Sequence, residues 1–112
     1  MIKIFCTPVK KEVEQFIHDC FNHYFDGRFK RCIDVDIIFK SKLEQNADGW
    51  CTGDTNEILI EINNTVTGKD LYRNIAHEIV HAKQFLRGET HSHELMELEA
   101  VAGENELVEL YL

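Results

Sequence analysis

The stretch NIAHEIVHAKQ, Asn74 to Gln84, decides how this chain is interpreted. Within it, His77, Glu78 and His81 form the pattern His-Glu-x-x-His. On an α-helix, residues four apart differ by about 40° of rotation and about 6 Å of rise, so both imidazoles point to one place. Glu78 lies about 100° further round the helix, beside that place. The spacing therefore predicts two nitrogen ligands for a metal ion, with a carboxylate next to it.

The surrounding residues predict a long helix from about Lys69 to Leu86. Thr67 and Asp70 are placed as a capping box at its start, and Gly88 is placed to end it. The helix has an apolar stripe and a polar stripe, and both histidines lie on the polar one, so we expect them to face a cleft. The apolar stripe contains Leu71, Ile75, Ile79, Ala82 and Leu86, and the polar stripe contains Asp70, Asn74, His77, His81 and Gln84.

Three segments before this helix predict strands, because their apolar residues alternate with polar ones or are β-branched. They are MIKIF at the N-terminus, IDVDIIF at 33–39 and EILIEI at 57–62. The segment NADGWCTGDTN between the last two is rich in turn residues and is interpreted as a loop.

Two more helices complete the prediction. The first has Thr7 as its N-cap and Pro8 at its first position, and the Asp26–Gly27 pair ends it. The last helix runs from about Glu94 to the C-terminus. The order of helix, strands, helix, helix predicts one α+β domain over residues 1–112, with helices on one side of a small antiparallel or mixed sheet.

Composition excludes several functional classes. Twenty acidic and twelve basic residues give a net charge of −8, which disfavours a phosphate backbone as partner, so no nucleic acid is expected. No apolar run approaches the roughly 20 residues of a membrane span, and the N-terminus lacks a signal-peptide core, so we expect a cytoplasmic protein. The four cysteines contain no Cys-x-x-Cys pair and are interpreted as reduced, mostly buried residues. They are Cys6, Cys20, Cys32 and Cys51.

A catalytic zinc usually has three protein ligands and one open position. In the last helix, the segment ELMELEAVAGE contains four glutamates, at positions 94, 97, 99 and 104. It also contains small residues that would let two helices approach closely: Ala100, Ala102 and Gly103. Glu97 and Glu99 lie about 200° apart on one helix, so only one of them can face the metal. Helical geometry alone does not decide which of the two glutamates is the ligand.

The His-Glu-x-x-His helix followed by ELEA, Glu97 to Ala100, resembles the gluzincin metallopeptidases. The resemblance covers about residues 57–112. Within it, the chain is similar to minigluzincins, to ImmA/IrrE-like proteins and to small phage-encoded metallopeptidase-like proteins. It implies a minimal zincin core, in which a small sheet packs with an N-terminal helix, the zinc helix and a C-terminal ligand helix. It also implies Zn²⁺ held by His77, His81 and Glu97, with Glu97 preferred over Glu99. Val101 stands where many gluzincins place an acidic residue that braces a histidine, so that partner is unassigned.

The resemblance implies a zinc metallopeptidase acting on a peptide or protein substrate. Zinc would lower the pKa of its water towards about 7, and Glu78 as general base would pass the proton to the leaving amine. The strand EILIEI would form the rim of the cleft, where an extended peptide adds as a further strand. The helper for the oxyanion stays open among Tyr72, Tyr111, His91 and His93.

Other interpretations also stay open. His91 or His93 could instead be an alternative ligand or an exposed loop residue. The whole protein could be a zinc-binding interaction module of the same fold with weak or no catalysis. A DNA-associated SprT-like protease shares the zinc helix, but the acidic balance argues against it.

Overall fold

A computed structural model describes residues 2–25 and 30–112 of the protein. These residues contain four strands, three α-helices and one 3-10 turn, Glu44–Asn46. In chain order they are β1 (Ile2–Cys6), α1 (Lys11–Tyr24), β2 (Ile33–Lys40), β3 (Gly49–Gly53), β4 (Glu57–Asn63), α2 (Gly68–Leu86) and α3 (His93–Tyr111). The predicted α+β class is confirmed.

The sheet is mixed, and its strands lie in the order β1-β2-β4-β3. β1 pairs parallel with β2, and β2 pairs parallel with β4 from Asp34 opposite Glu57 to Lys40 opposite Asn63. β3 pairs antiparallel with β4 and forms one edge of the sheet. β4 is therefore an inner strand whose two sides are both hydrogen-bonded.

One face of the sheet carries the hydrophobic core. The alternating residues of β2 and β4 that face this side are at most 3% exposed: Ile33, Val35, Ile37, Ile58, Ile60 and Ile62. Their neighbours Asp34, Asp36 and Glu57 face solvent. The apolar sides of α1 and α2 join the same core, and α3 adds Ala100 and Leu107. Burying each large aliphatic side chain contributes about 1.5–3 kcal/mol, so this alternation is the main determinant of the sheet's orientation.

Helix α2 lies at the centre of the molecule. It packs on β3 and β4 on one side and against α3 on another, and α1 contacts both helices. The residues predicted for its apolar stripe are buried at Ile75, Ile79, Ala82 and Leu86. Because α2 is held from several directions, the orientation of its remaining polar side is fixed as well.

The predicted start of α1 is wrong. Thr7 does not cap a helix: its backbone N–H donates to Ile37 O at 3.0 Å, and its hydroxyl accepts from Phe39 N at 3.3 Å. These bonds continue the pairing of β1 with β2, so α1 begins only at Lys11, after an extended Lys10 that provides no side-chain cap. The Asp26–Gly27 pair, predicted to end this helix, lies outside the described residues.

The interpretation of residues 46–56 as a loop is also wrong, since this segment contains β3. Trp50 and Thr52 are residue types that favour strands, and Cys51 pairs with Ile60 across the hairpin. The turn that follows is fixed by Asp54, whose carboxylate accepts from Asn56 N at 2.7 Å and from Glu57 N at 3.0 Å. Turn residues on both sides of a five-residue strand concealed it in the sequence.

The ends of α2 and α3 are close to those predicted. Thr67 is the N-cap of α2 but its side chain makes no capping bond, so the predicted capping box is wrong. Gly88 ends α2 with a φ of 65°, as predicted, and the next residue, Glu89, donates its N–H to Gln84 O at 3.0 Å. α3 begins one residue earlier than predicted, after Ser92, whose hydroxyl accepts from Leu95 N.

All four cysteines are free thiols, as predicted. Only Cys20 among them is buried, and Cys32 is exposed, so the expectation that they are mostly buried is wrong. Burial raises the pKa of the Cys20 thiol to about 12.

Within the described ranges, every helix is too short or too polar to cross a lipid bilayer.

Candidate metal centre

The three predicted ligands meet at the contact between α2 and α3. Nε2 of His77 and Nε2 of His81 are 3.2 Å apart. The carboxylate of Glu97 reaches both, with 3.2 Å to His77 Nε2 and 2.8 Å to His81 Nε2. Of the described His, Cys, Asp and Glu residues, these three form the group whose donor atoms could hold a metal ion. The two histidines lie one turn apart, which is why their ring nitrogens converge.

The donor set and its spacing fit zinc. A tetrahedral zinc site with bonds of about 2.0–2.2 Å places its ligand atoms about 3.3–3.6 Å apart. The two Nε2 atoms are 3.2 Å apart. Glu97 contacts them with different oxygens, Oε2 to His77 and Oε1 to His81, and one donor atom from each of the three residues lies within 4.8 Å of the others. Two imidazole nitrogens and one carboxylate oxygen are the donors of a common class of catalytic zinc site. With three protein donors, a zinc ion at this place would keep a fourth position for water or substrate.

The outer nitrogen of each imidazole has a polar partner that the sequence analysis did not assign. Nδ1 of His77 lies 2.9 Å from Glu104 Oε1, and Nδ1 of His81 lies 2.8 Å from Gln84 Oε1. Such partners orient the rings of metal-binding histidines. Glu104 therefore takes the bracing position that Val101 leaves vacant. Spacing along the helices could have predicted both partners. Gln84 follows His81 by three residues, which places it on the same side of α2 as His81, and Glu104 follows Glu97 by seven residues, which places it on the same side of α3 as Glu97.

Glu99, the other candidate ligand, faces away from the cluster. Its Oε1 accepts from Lys83 Nζ at 2.8 Å and from Gln84 Nε2 at 3.0 Å. The hydrogen bond from Lys83 is the largest cause that lowers the pKa of the Glu99 carboxyl. The structure thus brings Glu97 and not Glu99 to the two histidines.

Small residues let α3 approach α2, as predicted, at two of three positions. Ala100 is fully buried, and a Cβ at Gly103 would lie 2.6 Å from Val80 Cγ2. Ala102 is exposed, so its assignment to this contact was wrong. The close approach at Gly103 brings the carboxylates of α3 within reach of the histidines on α2.

Glu78, the predicted base, lies beside the cluster and is only 6% exposed. Burial is the main cause that raises its pKa to about 7; the neighbouring His77 lowers the pKa, and the Glu97 and Glu104 carboxylates raise it. β3 approaches Glu78 at Gly49, where a Cβ would lie 3.0 Å from Glu78 Oε2 and 2.6 Å from Asn74 Oδ1. The amide of Asn74 donates to Asp48 O and so ties the start of β3 to α2.

An open cleft of about 440 Å³ contains the cluster and extends along β3. Its walls are formed by β3, α2, the connector between α2 and α3, and the start of α3. The lining residues are Gly49, Trp50, Cys51, His77, Glu78, His81, Gln84, Phe85, Glu89, His93, Met96 and Glu97. His93 is the one of the four candidate oxyanion donors that lines this cleft. Tyr72 packs edge-on against Phe16, and the Tyr111 hydroxyl lies 2.9 Å from His23 Nδ1. His91 is exposed and does not line the cleft.

The expectation that β4 (EILIEI) offers an open edge to a peptide is wrong. β2 and β3 occupy both sides of β4, so its main-chain groups are already paired. The strand at the edge of the sheet that lines the cleft is β3, which was not predicted.

Comparisons of the chain with protein-family models, with curated proteins and with solved structures found no match. The geometry of the candidate metal centre is therefore the feature of this chain that bears on its function.

Proposed function

We propose that this protein is a zinc-dependent metallopeptidase with His77, His81 and Glu97 as ligands and Glu78 as general base. The observation that carries the proposal is the convergence of two Nε2 atoms and one carboxylate within about 3 Å of one another, with a buried carboxyl beside them in an open cleft. A structural zinc site has four protein ligands, usually including cysteines, whereas two histidines and one glutamate with an open position and an adjacent base suit hydrolysis.

When bound, zinc supplies a Lewis acid that polarises a carbonyl group and makes water more acidic. Glu78 accepts one proton from the attacking water as the water oxygen bonds to the carbonyl carbon. It then delivers this proton to the amine nitrogen as the carbon–nitrogen bond breaks, so that a carboxylic acid and an amine are formed. The acid then passes its remaining proton to the amine or to solvent, which gives a carboxylate and an ammonium group at neutral pH. His93 lines the cleft and is the group that we assign to the developing oxyanion.

β3 is the strand that we assign to substrate binding. It forms an edge of the sheet, and Gly49, Trp50 and Cys51 line the cleft. An extended peptide can hydrogen-bond to such an edge as an additional strand, which would carry its backbone past Glu78. The substrate class is therefore an extended segment of a peptide or protein.

The proposal is tested with Glu78→Gln, which replaces one oxygen by an NH₂ group of similar size. Zinc content and hydrolysis of a peptide library are measured for the wild type, this variant and Glu109→Gln, a matched change at an exposed site on α3. We expect zinc to be retained and the rate to fall by about 10²–10⁴-fold in Glu78→Gln only, since that is the usual contribution of a general base. Equal rates in all three proteins would contradict the proposal.

A second candidate is a zinc-binding interaction module without catalysis. The observation that favours it is the outer face of α3, where Leu95, Leu98 and Val101 are 56%, 61% and 48% exposed. Adjacent exposed apolar side chains are typical of contact surfaces. Zinc bound stoichiometrically by a wild type that cleaves no peptide of the library would favour this candidate.

A further inference from the structure

The outer face of α3 is apolar, although α3 also buries the opposite face. The buried side contains three small or aliphatic residues: Ala100, Gly103 and Leu107. On the outer face, Leu95, Leu98 and Val101 are exposed. At about 100° per residue, the two sets are centred on opposite sides of the helix. A helix that is apolar on both sides is typical of one with protein on both sides, so the outer face is a candidate contact surface.

The outer face has the spacing at which one helix packs against another. Leu95, Leu98 and Ala102 are separated by three and then four residues, which is the spacing of a coiled-coil seam. A hole of the kind that receives a partner side chain is bounded by four residues: Leu98, Val101, Ala102 and Asn105. The backbone N–H and C=O groups of α3 are used within the helix, so a strand cannot be added there. A second helix is therefore the element that fits this face.

The charged side chains of α3 are acidic, since His93–Tyr111 contains six glutamates and no lysine or arginine. Four of the glutamates contact histidine or lysine side chains of α1 and α2: Glu97, Glu99, Glu104 and Glu106. The other two, Glu94 and Glu109, are exposed and form no ion pair with any residue that the structure describes. Helical rotation places both within about 40° of Leu98. The outer face therefore has a carboxylate at each end of its apolar residues.

We propose that the outer face of α3 binds an amphipathic helix of another protein, one that carries lysine or arginine beside its apolar stripe. Apolar side chains of that helix cover Leu95, Leu98 and Val101, and its cations pair with Glu94 and Glu109. These two carboxylates are about 22 Å apart along α3, so the partner helix needs about four turns. The inference is independent of the zinc site, and it holds for a peptidase and for a module without catalysis alike.

Charge disfavours two other occupants of this face. A second copy of the chain, whose net charge is −8, would place an acidic helix against an identical one, and like charges repel. A membrane surface binds amphipathic helices that have lysine and arginine on their polar side. Because the charged lipids of cytoplasmic leaflets are anionic, they repel the carboxylates of α3. A cationic helix of a protein is the occupant that satisfies both the apolar and the charged groups.

The test uses two synthetic peptides of about three heptads, which is long enough to span both carboxylates. Both peptides have leucine at the two apolar positions of each heptad. The basic peptide has lysine at the flanking positions, and the acidic peptide has glutamate there. Fluorescence anisotropy of each labelled peptide, titrated with the full chain at physiological ionic strength, gives the dissociation constant.

Two variants of the full chain remove the two kinds of contact. Leu98→Ser removes the central apolar side chain, which is 61% exposed, so the fold does not depend on it. The double variant Glu94→Gln with Glu109→Gln removes both flanking charges and keeps the size of the side chains. Circular dichroism is used to check that each variant keeps its helices.

Each variant has a matched control elsewhere on the surface. Phe5→Ser changes an apolar residue of similar exposure, 58%, on β1. The double variant Glu12→Gln with Glu14→Gln removes two exposed charges from the first turn of α1. The controls therefore change the surface hydrophobicity and the net charge by similar amounts without touching α3.

We expect the basic peptide to bind the wild type at a ratio of one to one, and the acidic peptide to bind at least about 10-fold more weakly. Leu98→Ser should weaken binding of the basic peptide by about 10-fold or more, as for a central apolar contact. The double variant of α3 should weaken it by about 5-fold, the size expected of two exposed ion pairs. Both controls should stay within about 2-fold of the wild type. Zinc affinity should be the same in all five proteins, because none of these residues lines the cleft.

Several results would overturn the inference while leaving the zinc site standing. They include a basic peptide that does not bind, or one that binds no more tightly than the acidic peptide. An equal loss in the double variants of α1 and α3 would show only a general attraction to an acidic protein. A wild-type dimer in sedimentation equilibrium that Leu98→Ser dissociates would assign the face to a second copy. Binding to phosphatidylglycerol vesicles that Leu98→Ser abolishes would assign it to a membrane.

Discussion

Replacing Gly49 by alanine tests whether the approach of β3 to α2 sets the position of the base. The added Cβ would lie 2.6 Å from Asn74 Oδ1 and 3.0 Å from both Cγ and Oε2 of Glu78. Ordinary contacts between non-bonded heavy atoms lie near 3.5–4.0 Å, so the neighbours must move by about 0.5–1 Å. Asn74 can turn away only by losing its bond to Asp48 O, and Glu78 must leave its present position beside the ligand cluster.

We expect Gly49→Ala to lower the free energy of unfolding by about 1–3 kcal/mol, the usual cost of overpacking a well-filled site. The crowded atoms belong to Asn74 and Glu78 and not to the ligands. The rate of peptide hydrolysis should therefore fall by more than 10-fold, whereas the zinc affinity changes by less than that, because a displacement of about 1 Å at a reacting group can cost as much as 10² in rate.

Gly68→Ala is the matched control. Gly68 has a φ of 64° and no atom within 4 Å of an added Cβ, so alanine there strains the backbone without crowding any side chain. We expect a similar loss of stability, about 1–2 kcal/mol, with unchanged hydrolysis. Urea unfolding of the zinc-free proteins and peptide assays of the zinc-loaded proteins provide the comparison. A Gly49→Ala protein that is as active as Gly68→Ala would refute the reasoning.

Three further predictions concern single residues. Glu97→Ala should weaken zinc binding by about 10-fold or more in chelator competition, and Glu94→Ala, an exposed glutamate one turn earlier on the same helix, should not. Similar affinities for both would remove Glu97 from the site. Asp54 has its pKa held below the ordinary 3.8 by the backbone N–H groups of the β3–β4 turn, so it stabilises the fold above that pH, and this contribution is lost as the pH falls through the lowered value. The free energy of unfolding of Asp54→Ala should therefore be lower than that of the wild type at pH 7 and should fall less as the solution is acidified. An acid-unfolding curve identical to that of the wild type would contradict this. An alkylating reagent should modify the exposed thiol of Cys32 in the native protein and leave Cys20 unmodified, because burial raises the Cys20 pKa to about 12 and shields the sulfur; labelling of both at equal rates would show that α1 does not bury Cys20.

The parts of the fold that the sequence predicted are those with a long, regular pattern. The alternation in β2 and β4 and the apolar stripe of α2 each extend over several repeats, so burial of one face dominates other preferences. β3 has only five residues between turn signals, and it becomes a strand because the edge of β4 is available for pairing. Thr7 and Pro8 are suitable for starting a helix, but Thr7 hydrogen-bonds to β2 and so extends the sheet pairing of β1.

The site shows the same division between local and long-range information. His77, Glu78 and His81 share one helix, so helical geometry was enough to predict that the histidines converge. Choosing Glu97 over Glu99 required the rotation of α3 against α2, which depends on packing at Ala100 and Gly103. The partners Gln84 and Glu104 depend on the same rotation. Gly49 could not be predicted as a site residue, because β3 was not predicted.

The three converging groups come from two consecutive helices, and this has a consequence for folding thermodynamics. An ion that joins residues 81 and 97 closes a loop of about 16 residues in the chain. Loop-closure entropy rises only with the logarithm of length, so a permanent cross-link of this size would restrict the unfolded chain by about 3 kcal/mol, against about 4.7 kcal/mol for 100 residues. A dissociable ion leaves the unfolded chain unrestricted and acts by mass action on the native one. Each tenfold rise in free zinc above its dissociation constant would then add about 1.4 kcal/mol to the stability of the protein.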